Sequence, residues 1–124
     1  MNRSAFAEWL DAYKLAWEST DPRKAAALFT PDAVYEETPF DEPMRGLEAI
    51  RRYWQAGAQD AQRSIRFTYE IYTVDGDVGL CRWHCDFERV PSGERVELDG
   101  IFRCVFAPDG KCRHFQEWWH RRTA

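Results

Sequence analysis

The residues best placed to do chemistry lie at the end of Asp32-Ala33-Val34-Tyr35-Glu36-Glu37-Thr38-Pro39. This stretch reads as a short strand, Ala33 to Glu37, that ends on a carboxylate. A turn rich in proline follows, with Pro43-Met44-Arg45-Gly46, and then the helical run Leu47-Glu48-Ala49-Ile50-Arg51-Arg52-Tyr53-Trp54, whose aromatic face can close a pocket over that carboxylate. A glutamate in a ring-lined cavity has its charged form destabilised by desolvation, which lifts its pKa toward the range of a general acid or base. A second carboxylate, Glu117, joins the pocket if the last strand turns it inward, and repulsion would then push the two titrations apart. Such a pair supports proton transfer, dehydration, or activation of water for addition to an epoxide or carbonyl.

Those carboxylates need a scaffold, and the chain supplies one in order. Its 124 residues suit a single domain, 1–124, able to bury roughly two thirds of its unfolded surface. Phe6, Leu10, Tyr13 and Trp17 recur every three or four residues, which predicts an amphipathic first helix capped by Ser4 and running to about Ser19. Asp21 as N-cap and Pro22 at the first helical position open a second helix with Ala25, Ala26, Leu28 and Phe29 on its buried side. Thr30-Pro31-Asp32 should end that helix and turn the chain into the first strand. Gly46 releases a third helix from Leu47 to about Gln59. Four strands follow, from Ser64 to Val74, Val78 to Val90, Val96 to Ala107 and Lys111 to Arg122. Asp75-Gly76-Asp77, Pro91-Ser92-Gly93 and Pro108-Asp109-Gly110 separate them as turns. Helices first and a strand meander afterwards predict an α+β fold, with helices packed on one face of a curved, mostly antiparallel sheet.

Strand alternation assigns the faces. Cys81, Trp83, Cys85 and Phe87 should face the helices, and Arg82, His84, Asp86 and Glu88 the other side. Leu98, Gly100, Phe102, Cys104 and Phe106 form the next inner set, with Asp99, Ile101 and Arg103 outward. The last strand is open: Phe115, Glu117 and Trp119 share one face, His114, Gln116, Trp118 and His120 the other, and each carries a tryptophan. An outer sheet face with apolar side chains is a candidate homodimer surface.

The layout resembles the SnoaL-like branch of the superfamily that includes nuclear transport factor 2, ketosteroid isomerase, scytalone dehydratase and polyketide cyclases. The resemblance implies a cone-shaped fold in which three N-terminal helices and the sheet enclose a pocket for a small apolar, polyketide-like or steroid-like molecule. In ketosteroid isomerase a tyrosine on the first helix and an aspartate at the end of the first strand flank that pocket; Tyr13 and Glu37 fall on those positions. Trp54 falls on a second, supporting tyrosine, and Trp119 on a tryptophan of the pocket floor. The resemblance therefore implies Glu37 as base and Tyr13 as hydrogen-bond donor to the substrate oxygen. Tyr35, Trp17, Trp54, Phe102, Phe115 and Trp119 would form the walls. One departure argues against copying the isomerase. Its oxyanion hole pairs the tyrosine with a protonated aspartate, and that position is Phe102 here. Loss of one such donor typically costs on the order of 100- to 1,000-fold in rate.

Other classes are excluded or disfavoured. The net charge of −4 and the absence of a basic run beyond Arg121-Arg122 argue against nucleic acid. Met1-Asn2-Arg3-Ser4 leads straight into an amphipathic helix and no membrane-length apolar run follows, so a cytoplasmic chain is expected. Cys81, Cys85, Cys104 and Cys112 have no Cys-x-x-Cys or Cys/His spacing, and they read as core residues, not metal ligands. No Ser/His/Asp arrangement, glycine-rich phosphate loop or metal triad is legible, and the resemblance implies chemistry without a cofactor. Plainer roles stay open too. Glu37 can sit at a rim, bonded to Thr38 or paired with Arg45, Tyr13 can simply pack, and His84 and His114 can be surface or interface residues. The functional classes are thus a cofactor-independent enzyme, a non-catalytic module for a hydrophobic ligand, or a partner-binding protein using the open sheet face.

Overall fold

The structure, a computed structural model, describes residues 1–123. Helix α1 runs Arg3–Glu18, and its cap is Asn2, whose side chain accepts from the Ala5 backbone N–H at 2.8 Å. Ser4, the expected cap, lies within the helix. Helix α2, Pro22–Ala26, opens as expected, with the Asp21 carboxylate accepting from the N–H groups of Arg23 and Lys24. It is shorter than its apolar pattern suggests. Phe29 is buried but already belongs to strand β1, Phe29–Glu36. Thr30-Pro31-Asp32, expected as a turn, lies inside that strand. Pairing is irregular between Phe29 and Val34, and a proline without an N–H is tolerated at such an irregularity.

A two-residue strand β2, Met44–Arg45, pairs with Val34 and Tyr35 on the sheet's edge. Gly46 follows with φ +83°, a left-handed conformation that favours glycine, and helix α3 begins at Leu47. The α-helix stops at Trp54 and continues as one wider π-helical turn, Gln55–Gln59. The four long strands are β3 (Gln62–Asp75), β4 (Val78–Arg89), β5 (Arg95–Phe106) and β6 (Cys112–Thr123). The sheet order is β2-β1-β6-β5-β4-β3, antiparallel throughout except that β1 lies parallel to β6. Three helices on a six-stranded, mostly antiparallel sheet give the α+β cone expected from the sequence.

The faces follow the alternation. Cys81, Trp83, Cys85 and Phe87 are buried, as are Phe102, Cys104 and Phe106. The last strand resolves with Phe115 and Glu117 buried inward, and Trp118 exposed on the outer face at 43%. Helix α1 clamps onto β3 where Lys14 donates to the Phe67 carbonyl at 2.6 Å and Glu18 accepts from the Phe67 N–H at 2.9 Å. Tyr13 stands at the centre of the aromatic core, with Phe102 at 5.2 Å and Phe115 at 5.7 Å between ring centroids. Gly100 marks the tightest approach. A Cβ there would lie 1.8 Å from the Trp118 carbonyl oxygen, so only glycine lets β5 and β6 close at this point. All four cysteines are free and buried.

Candidate active site

A cavity of about 300 Å³ opens between α1, α3 with its π turn, and the inner sheet face. That volume lies at the small end of ligand pockets. Tyr13 and Trp17 enter from α1, Tyr53 and Trp54 from α3, Gly57 and Ala58 from the π turn. The small side chains of that turn leave space at the mouth that a longer side chain would fill. Tyr35 and Glu37 come from β1 and its end, and Glu117, Trp119 and Arg121 from β6. Gln62, Phe87, Arg89 and Leu98 complete the wall.

Two carboxylates share this space in different environments. Glu117 is 8% exposed, and burial holds its carboxyl well above the usual carboxylate range. The nearby Glu37 charge adds to that rise, and the Tyr35 hydroxyl, 3.4 Å from Glu117 Oε2, partly offsets it. Glu37 is half-buried. Desolvation raises its pKa, the Tyr53 hydroxyl bonds to it and lowers it, and Asp41 raises it. Both carboxyls are thus raised, the deeply buried Glu117 chiefly by burial and the half-buried Glu37 against the opposing bond from Tyr53.

The tyrosines link these groups. Tyr35 donates to Glu117 Oε2 and lies beside the Tyr13 hydroxyl. Burial first, then the Glu117 charge, push the Tyr13 and Tyr35 hydroxyls well above their ordinary range. Trp119 Nε1 donates to the Glu37 carbonyl at 3.3 Å and ties β6 to the end of β1. Trp17 Nε1 donates to Gln62 Oε1 at 2.8 Å, which fixes that ring across the cavity. The indole nitrogen of Trp54 is buried with no hydrogen-bond partner.

The structure therefore brings Tyr13, Glu37, Glu117, Tyr35, Trp17, Trp54 and Trp119 together around one cavity. Phe102 and Phe115 are fully buried one layer behind the lining, where they back Tyr13. Two plainer roles for Glu37 do not arise. Thr38 donates to Asp41 at 2.9 Å, and among the described residues Glu37 has no ion pair with Arg45. His84 and His114 lie outside the pocket, on the outer sheet face. His84 sits 3.6 Å from Glu97 and 3.5 Å from Asp99, and His114 lies 2.5 Å from Glu36. Among the described residues no His, Cys, Asp and Glu cluster is arranged to hold a metal ion.

One expectation changes in kind. With Phe102 in place of the isomerase's protonated aspartate, the resemblance leaves Tyr13 as the donor it implies. In the sheet Phe102 pairs directly with Glu117 on the neighbouring strand. A buried carboxyl is thus returned to the pocket floor from β6. Sequence reasoning missed Tyr53, Gln62, Arg89 and Arg121. The arginines were legible by extending the inner rows Trp83-Cys85-Phe87 and Phe115-Glu117-Trp119 by one more step.

The aromatic α+β cone thus holds one cavity lined by tyrosines and two unlike carboxylates. The family model for the SnoaL-like domain matches residues 7–115, and the chain belongs to that family. Three solved structures share the fold. A proposed isomerase from Bacillus subtilis superposes with a TM-score of 0.82 at 19% identity, covering 97% of this chain and 90% of that one. SalBIII, an epoxide hydrolase/cyclase-like enzyme with a role in pyran ring formation in the polyether salinomycin, gives 0.82 at 16% identity over 95% of both chains. A type 2 hexachlorocyclohexane dehydrochlorinase, LinA, gives 0.81 at 11%, over 98% of this chain and 88% of that one. At these identities the likeness is one of fold. No curated protein matches the sequence. No helix among the described residues is long and apolar enough to cross a membrane.

Proposed function

We propose that this chain is a cofactor-independent enzyme that performs acid–base chemistry on a small oxygenated organic substrate, in the manner of isomerases, cyclases, dehydratases and epoxide hydrolases. The single observation that carries this is the pairing of a deeply buried, tyrosine-bonded Glu117 with a half-buried Glu37 in one cavity. Glu37, at the shallower position, is the base. It takes a proton from carbon beside a carbonyl, or from a water that then adds to the substrate. Glu117, kept neutral by burial, accepts from the Tyr35 hydroxyl at Oε2, and its own proton and that of Tyr13 are left for the substrate oxygen. Charge developing on that oxygen is met by a preorganised donor, and the proton on Glu37 returns to the product. Trp17, Trp54 and Trp119 hold the apolar body of the substrate.

The test uses 2-tetralone, an enolisable ketone, and follows exchange of its α-hydrogens for deuterium by NMR. The wild-type chain should accelerate exchange over buffer. Glu37→Gln should remove on the order of 100- to 10,000-fold of that rate while leaving near-UV circular dichroism unchanged. Exchange no faster than in buffer with tetralone bound would support a binding module instead, and an unchanged rate in the variant would remove Glu37 as base. We also propose self-association through the outer sheet face, where Trp118 is 43% exposed beside Ile101, its cross-strand neighbour. Sedimentation as a monomer at high micromolar concentration would refute it.

A further inference from the structure

We propose that the substrate of this pocket carries a carboxylate, bound at the cavity mouth by Arg121 with Arg89 beside it. The inference rests on the cavity being a substrate site and names the class of molecule that it takes, a small organic acid with an apolar, carbonyl-bearing body.

The argument begins with the inner faces of two strands. Those rows are apolar or buried along their length, through Cys81, Trp83, Cys85 and Phe87 on β4 and Phe115, Glu117 and Trp119 on β6. The rows then reach Arg89, at the end of β4, and Arg121, two residues before the end of β6, and both line the cavity. Arg121 faces Leu98 across the β5–β6 ladder, so its guanidinium rises beside an apolar wall. In a chain with 21 acidic and 17 basic residues, the cavity lining carries two cations, Arg89 and Arg121.

Their partners sharpen the point. Arg89 is held by Glu94, with Nε 3.2 Å from Oε1. Arg121 has no carboxylate within ion-pair distance among the described residues, whereas its neighbour Arg122 pairs with Glu97 at 3.1 Å. The two acids of the cavity do not serve it either. Glu37 answers to Tyr53 and Asp41, and Glu117 to Glu37 and Tyr35. The mouth thus holds one anchored guanidinium and one whose planar fork is open to a carboxylate. Glu37 shares the cavity, so a singly charged carboxylate suits the site better than a phosphate dianion. An acid held at the mouth also fixes the substrate's direction, with its carbonyl end toward Tyr13 and Glu117.

A matched pair of probes tests this, 2-naphthylacetate and its neutral isostere 2-naphthylacetamide, titrated by calorimetry into the wild-type chain and Arg121→Gln. The wild type should prefer the carboxylate by about tenfold or more, the scale of a charge-assisted hydrogen bond. Arg121→Gln should abolish that preference while leaving amide affinity within about twofold. Arg89→Gln should reduce it by less, and raising sodium chloride from 20 to 500 mM should shrink it. Equal binding of both probes to the wild type, or a variant that weakens both alike, would overturn the carboxylate site and leave the pocket reading standing. Binding of neither probe would overturn the inference together with the reading of the cavity as a ligand site.

Discussion

Replacing Glu117 by Gln should make the chain more stable than wild type at neutral and alkaline pH, and by an amount that grows with pH. Glu117 is 8% exposed, and burial raises its carboxyl above the ordinary range. The folded chain therefore keeps a proton that the unfolded chain has released. Where the folded state binds more protons, stability falls as pH rises. The loss starts near the unfolded value of about 4.3 and continues until the folded pKa is reached, at about 1.4 kcal/mol per pH unit for one proton. Glutamine does not titrate, has nearly the same shape, and can still accept from Tyr35. The difference in unfolding free energy between Glu117→Gln and wild type should then be constant below pH 4. Above that it should rise by about 1.4 kcal/mol per unit, and it should level off at the folded pKa of Glu117. Urea unfolding monitored by tryptophan fluorescence at unit steps from pH 4 to pH 9 measures it, with Glu37 present in both chains and contributing to both. Parallel stability curves would refute the reasoning. A difference that shrinks with pH would mean that Glu117 is ionised and stabilised as an anion in the folded chain.

Two further substitutions probe the same geometry. Tyr35→Phe removes the hydroxyl that lowers the Glu117 pKa, so the plateau in the preceding experiment should move to higher pH; an unmoved plateau would place Tyr35 outside the network. Gly100→Ala forces a Cβ to within 1.8 Å of the Trp118 carbonyl and should cost at least about 2 kcal/mol of stability in the same urea assay, whereas a loss below half that would mean β5 and β6 can part without penalty.

Much of the scaffold was legible because its signals are local. Asp75-Gly76-Asp77, Gly93 and Gly110 punctuate the meander, and period-two alternation places Trp83 and Phe102 inside without any knowledge of the fold. What escaped depends on partners distant in sequence. The early start of β1 at Phe29 comes from pairing with Cys112, 83 residues on, and Met44–Arg45 is a strand only because Val34 and Tyr35 lie beside it. Asn2 and Ser4 are both competent caps, and the choice between them falls to burial of Phe6 one turn later. The site shows the same split. Glu37, Tyr13, Trp54 and Trp119 were found through the resemblance, and Glu117 was left to the parity of its strand. Tyr53 was passed over because its neighbour Trp54 carried the same apolar signal, yet its hydroxyl is the one that bonds Glu37.

In the proposed reading Glu117, on the strand next to Phe102, takes the part that the isomerase gives to its protonated aspartate, a change that residue-by-residue transfer misses in a sheet. Side chains directly opposite on an antiparallel ladder lie about 5 Å apart, so a function can move one strand over and stay at the same cavity. A comparison along the chain scores that as a loss, because Glu117 stands 15 positions from Phe102 although the two are paired. The move has a consequence for chemistry. A donor displaced by about one strand spacing, roughly 5 Å, meets the substrate oxygen from a different side of Tyr13 and at a different distance from Glu37. The distance over which the base must carry a proton changes with it, and so does the shape of substrate that fits between base and donor. The scaffold that this chain shares with a proposed isomerase, an epoxide hydrolase/cyclase-like enzyme and a dehydrochlorinase is therefore no guide to substrate, and in the proposed reading that choice falls to Arg121, Glu37 and Glu117.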